Sequence, residues 1–455
     1  MRGSEGPWLE VFRHPELGNA SYLVGCDREA GVIDPVRDIG RYLLRARERG
    51  ARIRWVLETH LHNDFLSGGR ELARRSGAQL AAPRASRLVF PHRALSDGDR
   101  LDLGSGRLVG QASPGHTPEH TSYLLLDEHD RPRRLFSGGS LMVGSAARPD
   151  LLGPRYTLPL AREERATLRR YARELPASLP VHPTHAGGSF CGVGASTATA
   201  TTIGRERREN RLMRAASFVE FVERYLTSDP FPRYYHGMRA RNRRGPTALG
   251  EDPKSPPRLT PEEVARAAAR PGVRVIDLRT HREFDAGHIP GSLYIGHEGT
   301  YTAWVGWTCR ASDRFVLVGG SEADQVEGSR ALQRIGFDRI LGQLAGGWPA
   351  YAASKAPQRT TRRARMSAVR KALARGEPMI VLDVRQPSEF AHSHLPGARS
   401  VPLGEVGAHS LRDLPREVPL YVHCAFGERS AVAAGRLEAL GFEEVVHVID
   451  GPDQW

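Results

Sequence analysis

Lysine is nearly missing from this chain: it stands only at positions 254, 355 and 371, so the formal net charge of +13 comes almost wholly from arginine. The arginines are dispersed instead of gathered in one patch with interleaved aromatics. That argues against a nucleic-acid groove and leaves small anionic substrates as the partners the charge favours. No run of about 18 apolar residues occurs, so a membrane-spanning helix is excluded. The opening stretch MRGSEGPWLEVFRHPELG has no basic segment followed by an apolar one. No secretory signal is read there, and the expected compartment is the cytoplasm. Cysteine is scarce too. Cys26, Cys191, Cys309 and Cys424 are scattered without framework spacing, which excludes a disulfide scaffold and leaves each thiol to be judged as filler or as chemistry.

What is present divides into three parts. At roughly 150 residues per domain, a chain of 455 residues should hold about three domains. Up to about residue 245, short β-rich runs (SYLVG, GVIDP, IRWVLETH, TSYLLL, RRLFSG) alternate with helical stretches such as DIGRYLLRARERG, an α/β pattern. The Pro- and Gly-rich stretch at 245–258 and the polar stretch at 354–365 read as linkers. Between and after them lies an internal repeat: VIDLRTHREFDAGHIPGSLYI (275–295) aligns without gaps on VLDVRQPSEFAHSHLPGARSV (381–401) at an offset of 106 residues. Further on, LQRIGF at 332 pairs with LEALGF at 437. The expected domains are therefore 1–245, 259–353 and 367–455, the last two being copies of one fold.

In the last copy the apolar strand VPLYVH runs into CAFGERS and then into a helical stretch. A cysteine at a strand end, before a glycine-containing loop and a helix N-terminus, sits where backbone N–H groups and the helix dipole stabilise a thiolate. Arg429 adds positive charge, and the same loop would cradle an anion. The motifs D-x-R, E-F, H-x-P-G-A and C-x-x-G-x-R-S resemble a rhodanese (sulfurtransferase) domain. That resemblance implies a persulfide on Cys424, with Ala425, Phe426, Gly427, Glu428 and Arg429 as its cradle. In the middle copy, FVLVGGSEADQ places Gly319 or its neighbour at the cysteine position, and Cys309 lies upstream of the strand. A fold without its nucleophile reads as a structural or docking module.

The N-terminal part carries a candidate metal constellation. ETHLHNDFL sets His60, His62 and Asp64 on alternate positions, PGHTPEH offers His116 on a Pro-Gly turn, and VHPTHAGGSFCG offers His185. This arrangement resembles the metallo-β-lactamase superfamily. More narrowly, ASYLVG, VIDP, THLHNDFLSG, SPGHTPEHTSY and ARPDL resemble persulfide dioxygenases fused to rhodanese domains, in the same domain order. The fold this implies is an αββα sandwich followed by two α/β domains with parallel sheets. The family's centre is one Fe(II), rather than Zn, between two histidines and an aspartate; His60 and His116 are those histidines. The aspartate belongs in a motif that here reads SGGSL, so its place holds Gly139. Phe65 removes a second-site histidine, and with the aspartate gone as well, dinuclear hydrolysis is disfavoured. Three arrangements stay open: His62 joining His60 and His116, a water or small anion beside Gly139, or a metal-free scaffold. The resemblance also puts Cys191 near the iron, as a relay of sulfane sulfur or as a packed thiol. Arg148 is a candidate partner for the carboxylate of a glutathione-like substrate. His120, His182, His288 and His394 read as structural.

The function expected is O2-dependent oxidation of a thiol persulfide to sulfite at the iron, with sulfur passing between persulfide, sulfite and thiosulfate through Cys424. The alternatives are a sulfurtransferase with a metal-deficient scaffold, and a sulfane-sulfur carrier without turnover. Neither nucleic acid nor membrane is an expected partner, and a homo-oligomer is left open.

Overall fold

The strand Thr121–Leu126 points alternate residues into two different cores: Tyr123 and Leu125 into one, Leu124 and Leu126 into the other. Period-two alternation with both faces apolar is what a strand inside a layered sandwich requires. The computed structural model describes residues 6–192, 196–227, 229–250, 254–296, 301–407 and 409–452. Residues 251–253 of the expected linker lie outside the described residues. The chain divides into two units, residues 1–227 with 234–253, and residues 228–233 with 254–455.

In the first unit one six-stranded sheet runs in the order Trp8–His14, Asn19–Cys26, Glu29–Ile33, Arg52–Leu57, Gln79–Pro83, Arg93–Leu95. The other runs Thr201–Thr202, Pro180–Pro183, Pro132–Gly138, Thr121–Leu126, Gly106–Ala112, Arg100–Leu103. Tyr22, Ile33, Trp55 and Leu57 of the first sheet meet Leu108, Tyr123, Leu125 and Phe136 of the second in one buried core. The second sheet covers its other face with the helix Pro154–Glu174, through Leu168 and Tyr171. The helices Gly40–Glu48 and Gly69–Ser76 pack on the strand Arg52–Leu57. This is the αββα sandwich expected from sequence. No helix among the described residues is long and apolar enough to cross a membrane.

The second unit contains two five-stranded sheets. One runs Arg258–Leu259, Ile340–Leu344, Arg314–Val318, Val273–Asp277, Leu293–Tyr294; the other Arg362–Ala364, Val445–Val448, Leu420–His423, Ile380–Asp383, Arg399–Ser400. Every pairing in both is parallel. Helices start where the sequence supplies reciprocal caps, Thr260 with Glu263, Thr280 with Glu283 and Ser321 with Asp324. The connection from central strand to following helix has three residues in the middle copy (319–321) and four in the last (424–427).

Candidate metal centre and candidate sulfur-transfer loop

The strands of the first unit end at one edge, and the histidines sit just beyond them. His60 and His62 follow Arg52–Leu57, His116 follows Gly106–Ala112, Gly139 follows Pro132–Gly138, and His185 follows Pro180–Pro183. One nitrogen from each of His60, His116 and His185 lies within 4.8 Å of the others, and all three rings are buried. Each ring is held by its Nδ1. Thr59 Oγ1 donates to Asp34 Oδ2 at 2.7 Å and so accepts from His60 Nδ1 at 2.8 Å. His116 Nδ1 donates to the Arg148 carbonyl oxygen at 2.9 Å. His185 Nδ1 faces Asn19 Oδ1 at 3.0 Å and Asp64 Oδ2 at 3.3 Å, and Asn19 Nδ2 in turn donates to Asp64 at 2.7 Å.

With the protons on Nδ1, the three Nε2 atoms present lone pairs to one another. His60 Nε2 and His185 Nε2 are 3.3 Å apart, and His116 Nε2 is a buried nitrogen with no protein partner. Burial, reinforced by the neighbouring imidazoles, drives His60 and His116 well below the ordinary histidine range. Three imidazoles with converging Nε2 atoms and tethered Nδ1 atoms fit a transition-metal ion, and the tethers are the outer hydrogen bonds that fix such ligands.

The structure corrects the place of His62. Its Nε2 points to Asp34 Oδ1 at 3.2 Å and Glu58 Oε2 at 3.5 Å, and its ring stacks on Phe65 with 4.2 Å between centroids. Burial alone would keep this ring neutral, but the two carboxylates outweigh it and push its pKa up to about 10. His62 is thus an imidazolium in an ion cluster, and the third nitrogen of the set comes from His185. Asp64, next to the Phe that replaces a second-site histidine, orients His185. Asp34 is a site residue that sequence reasoning passed over. It lies in the left-handed region at φ 50° and accepts from Thr59 N, Thr59 Oγ1 and Thr184 Oγ1. Its signal was the quoted VIDP, where a polar residue ends an apolar strand.

Gly139 occupies the position of the expected carboxylate. Its N–H donates to His120 Nε2 at 2.9 Å, and a Cβ there would lie 2.7 Å from Cδ2 of His116. His120 is structural, as expected, with Nδ1 on Ser113 Oγ at 2.8 Å. Arg148 does not wait for a substrate. It is 4% exposed, its guanidinium grips Asp150 with bonds of 2.7 and 2.6 Å, and its carbonyl steers His116. Cys191 is fully buried against Tyr235, and burial pushes its thiol well above the usual range, which holds it as a packed thiol.

In the second unit, Cys424 directly follows the strand Leu420–His423, and its Sγ accepts the Gly427 N–H at 3.1 Å with Ser430 Oγ at 3.4 Å. Gly427, at φ 94°, caps the helix Glu428–Ala439. That left-handed conformation is what turns its N–H back toward the sulfur. Ser430 was absent from the expected cradle although it stands in the quoted motif. Ala425 belongs to the loop, and Phe426 is 75% exposed. Arg429 stays beside the sulfur but is charge-paired, and Glu428 is engaged elsewhere. The Arg429 guanidinium is bidentate on Glu389, at 2.5 and 2.7 Å, and the Glu428 carboxylate faces away from the sulfur to accept from Tyr294 at 2.6 Å. In the middle copy Gly319 follows the central strand, so no thiol stands there.

Two stacked sheets with histidines gathered at the strand ends define a metallo-β-lactamase fold, and a family model for that superfamily matches residues 14–191. A model for the rhodanese-like domain matches residues 260–354 and 366–455. Hydroxyacylglutathione hydrolase of Acidiphilium cryptum is 30% identical over 243 residues, covering 49% of this chain and 96% of that protein. The mitochondrial persulfide dioxygenase ETHE1 of Bos taurus is 29% identical over 228 residues, covering 49% of this chain and 82% of that protein. A solved metallo-beta-lactamase from Staphylococcus aureus subsp. aureus COL superposes with a TM-score of 0.66 at 27% identity, over 75% of this chain and 99% of that one. The chain belongs to the metallo-β-lactamase superfamily. In particular it is a fusion of a domain similar to persulfide dioxygenases with two rhodanese-like domains, an enzyme architecture of sulfur metabolism, and its family implies a metal site.

Proposed function

We propose that the protein oxidises a small thiol persulfide to sulfite in its first unit and transfers sulfane sulfur through Cys424 in its second. The observation that carries the first part is the convergence of three Nδ1-tethered histidines, His60, His116 and His185, without a carboxylate and without a second-site histidine at Phe65. The hydrolase relative supports a competing reading, but two-metal hydrolysis calls for a second set of ligands. Here Gly139 and Phe65 supply none; the second buried group, His62, Asp64 and His185, shares His185 with the first, and its His62 is paired with Asp34 and Glu58. Mononuclear Fe(II) held by three imidazoles, with Zn the lesser fit, would supply the oxygen chemistry that turns persulfide sulfur into sulfite. One persulfide, one O2 and one water yield a thiol and sulfite. The protein's own part is to present three nitrogens from rings tethered at Nδ1 and to keep His62 paired with Asp34 and Glu58.

At Cys424 the thiolate attacks the sulfane sulfur of thiosulfate, the S–S bond breaks, and sulfite leaves. The Gly427 N–H steadies the charge on sulfur, and the Ser430 hydroxyl, which donates toward the Gly427 and Val448 carbonyls, holds the turn beside it. Run in reverse, the step consumes the sulfite formed by the first unit, which is why the two centres belong in one chain.

Metal content and O2 uptake on glutathione persulfide test the first centre. Iron retention with one O2 consumed per persulfide is expected. A protein that, reconstituted anaerobically with Fe(II), takes up no oxygen while Cys424 still transfers sulfur would leave the sulfurtransferase reading alone.

A further inference from the structure

The middle rhodanese-like domain lacks a cysteine at the strand-end position, yet it reaches the loop that has one. Gly427, whose N–H faces the Cys424 sulfur, has its carbonyl oxygen held by His447 Nε2 at 2.8 Å. His447 is fully buried, and its Nδ1 lies 2.7 Å from Asp285 Oδ2, which reaches over from the helix His281–Ala286 of the middle domain. The next residue, Glu428, accepts from Tyr294 of the middle domain at 2.6 Å. Two consecutive residues at the turn behind the sulfur are therefore gripped from the cysteine-less copy.

The internal repeat shows that these grips are not generic to the fold. At the offset of 106 residues, Asp285 corresponds to Ala391 and Tyr294 to Ser400; at the offset of 105 that aligns LQRIGF with LEALGF, His447 corresponds to Gly342. The Asp285–His447 contact is made by residues in which the two copies differ, and neither copy could make it to another of its own kind; Tyr294 differs as well, while Glu428 has Glu322 as its counterpart at the helix start. The rest of the helix Glu428–Ala439 is seated on the same domain. Gly435 lets the Ser292 carbonyl come within 3.0 Å of where a Cβ would be, and Glu438 holds His288 Nε2 at 3.0 Å. Asp285, His281 and His447 also lie close enough to hold a cation. However, Arg363 Nε stands 3.3 Å from Asp285 Oδ2 and already compensates that carboxylate, so the group is a hydrogen-bonded brace.

We propose that the cysteine-less domain positions the catalytic loop: Asp285, through His447, holds the carbonyl of the Gly427–Glu428 peptide and Tyr294 holds Glu428, and through the Gly427 Cα they anchor the adjoining Phe426–Gly427 peptide, whose N–H points at the Cys424 sulfur. The proposal rests on Cys424 being the sulfur-transfer nucleophile. Tyr294 and Asp285 are positioning residues and touch no substrate. The ionisable groups about the sulfur, Arg429 with Glu389, and His423 with Asp383, belong to the last domain, and the variants below leave them in place.

The test is alkylation of Cys424 by iodoacetamide across pH in the full-length protein, read by mass spectrometry of the Cys424 peptide, so that no turnover is needed. Loss of an aligned N–H donor leaves the thiolate less stabilised. Y294F and D285N should each lower the Cys424 alkylation rate at neutral pH about threefold. Y294F should add nothing in an E428A background, nor D285N in H447Q. Profiles identical to wild type, or effects that add fully in the double variants, overturn the proposal. Y294F removes only a part-buried hydroxyl, so it keeps the test alive if D285N fails to fold. A wild-type protein that lacks thiosulfate-to-cyanide transfer, but whose Cys424 profile still shifts in the variants, would refute the sulfurtransferase reading and not the positioning.

Discussion

Replacing His185 by alanine separates the centre seen here from one built on His62. His185 supplies one of three converging nitrogens, 3.3 Å from His60 Nε2. Losing merely a residue that orients a ligand costs about 10–100-fold in metal affinity, so losing the ligand itself should cost about 100-fold or more. At free metal 100 times the intact site's dissociation constant, binding stabilises the fold by about 2.7 kcal/mol, whereas a site weakened 100-fold keeps about 0.4 kcal/mol. The difference of about 2.3 kcal/mol corresponds, for a unit of this size, to about 5–9 °C in Tm. The assay is thermal unfolding of the full chain with and without Fe(II) under anaerobic conditions. H185A should lose most of the metal-induced shift. H62A should behave in the opposite way: it keeps the shift, but the metal-free protein falls by about 3–5 kcal/mol because Asp34 and Glu58 are left as buried carboxylates without their cation. A full metal shift in H185A, together with its loss in H62A, would refute the ligand set.

The His62 pKa gives a pH dependence with a definite sign. Its folded value of about 10 lies above the ordinary 6.5, so the stability it contributes is complete below about pH 6.5 and drains away as pH rises toward 10. Urea titrations of metal-free protein should show that decline, and H62A should not. Gly139→Ala adds only a Cβ, 2.7 Å from Cδ2 of His116 and 3.0 Å from the Ala147 Cβ. It is expected to cost about 1–3 kcal/mol and to weaken metal binding, checked by urea unfolding and metal titration. Ser430→Ala removes the hydroxyl 3.4 Å from the Cys424 sulfur and its bonds to the Gly427 and Val448 carbonyls. It should slow thiosulfate-to-cyanide transfer severalfold, at a stability cost of about 1 kcal/mol.

The layered fold, the paired rhodanese domains and the place of Cys424 were legible because they rest on local signals: period-two strands, a gapless repeat, and a cysteine between strand and helix. The third histidine was not. His60 and His62 stand on alternate positions of one segment and do come close, with 4.2 Å between ring centroids. What decides between them as partners is Asp34, brought in from another strand, whose buried carboxylate claims His62. Arg148 and Arg429 taught the same lesson from the other side. Each was read as a free charge beside a site, and each turned out to be neutralised, by Asp150 and by Glu389. Sequence shows which groups are charged, but their partners are set by which strand ends the fold brings together. The role of the middle domain was hidden for a related reason, since its contacts lie where it departs from the repeat.

The tethering of the imidazoles also bears on how a metal would enter. Binding to histidine ordinarily competes with protons, so affinity falls as the medium is acidified. Here His60 and His116 already sit far below the ordinary histidine range, with their single proton committed to Thr59 and to the Arg148 carbonyl. For these two rings, loading displaces no proton from the coordinating nitrogen near neutrality. At these two rings metal uptake should therefore release few protons to buffer through mild acidification, where flexible surface histidines would take up protons and let an ion go.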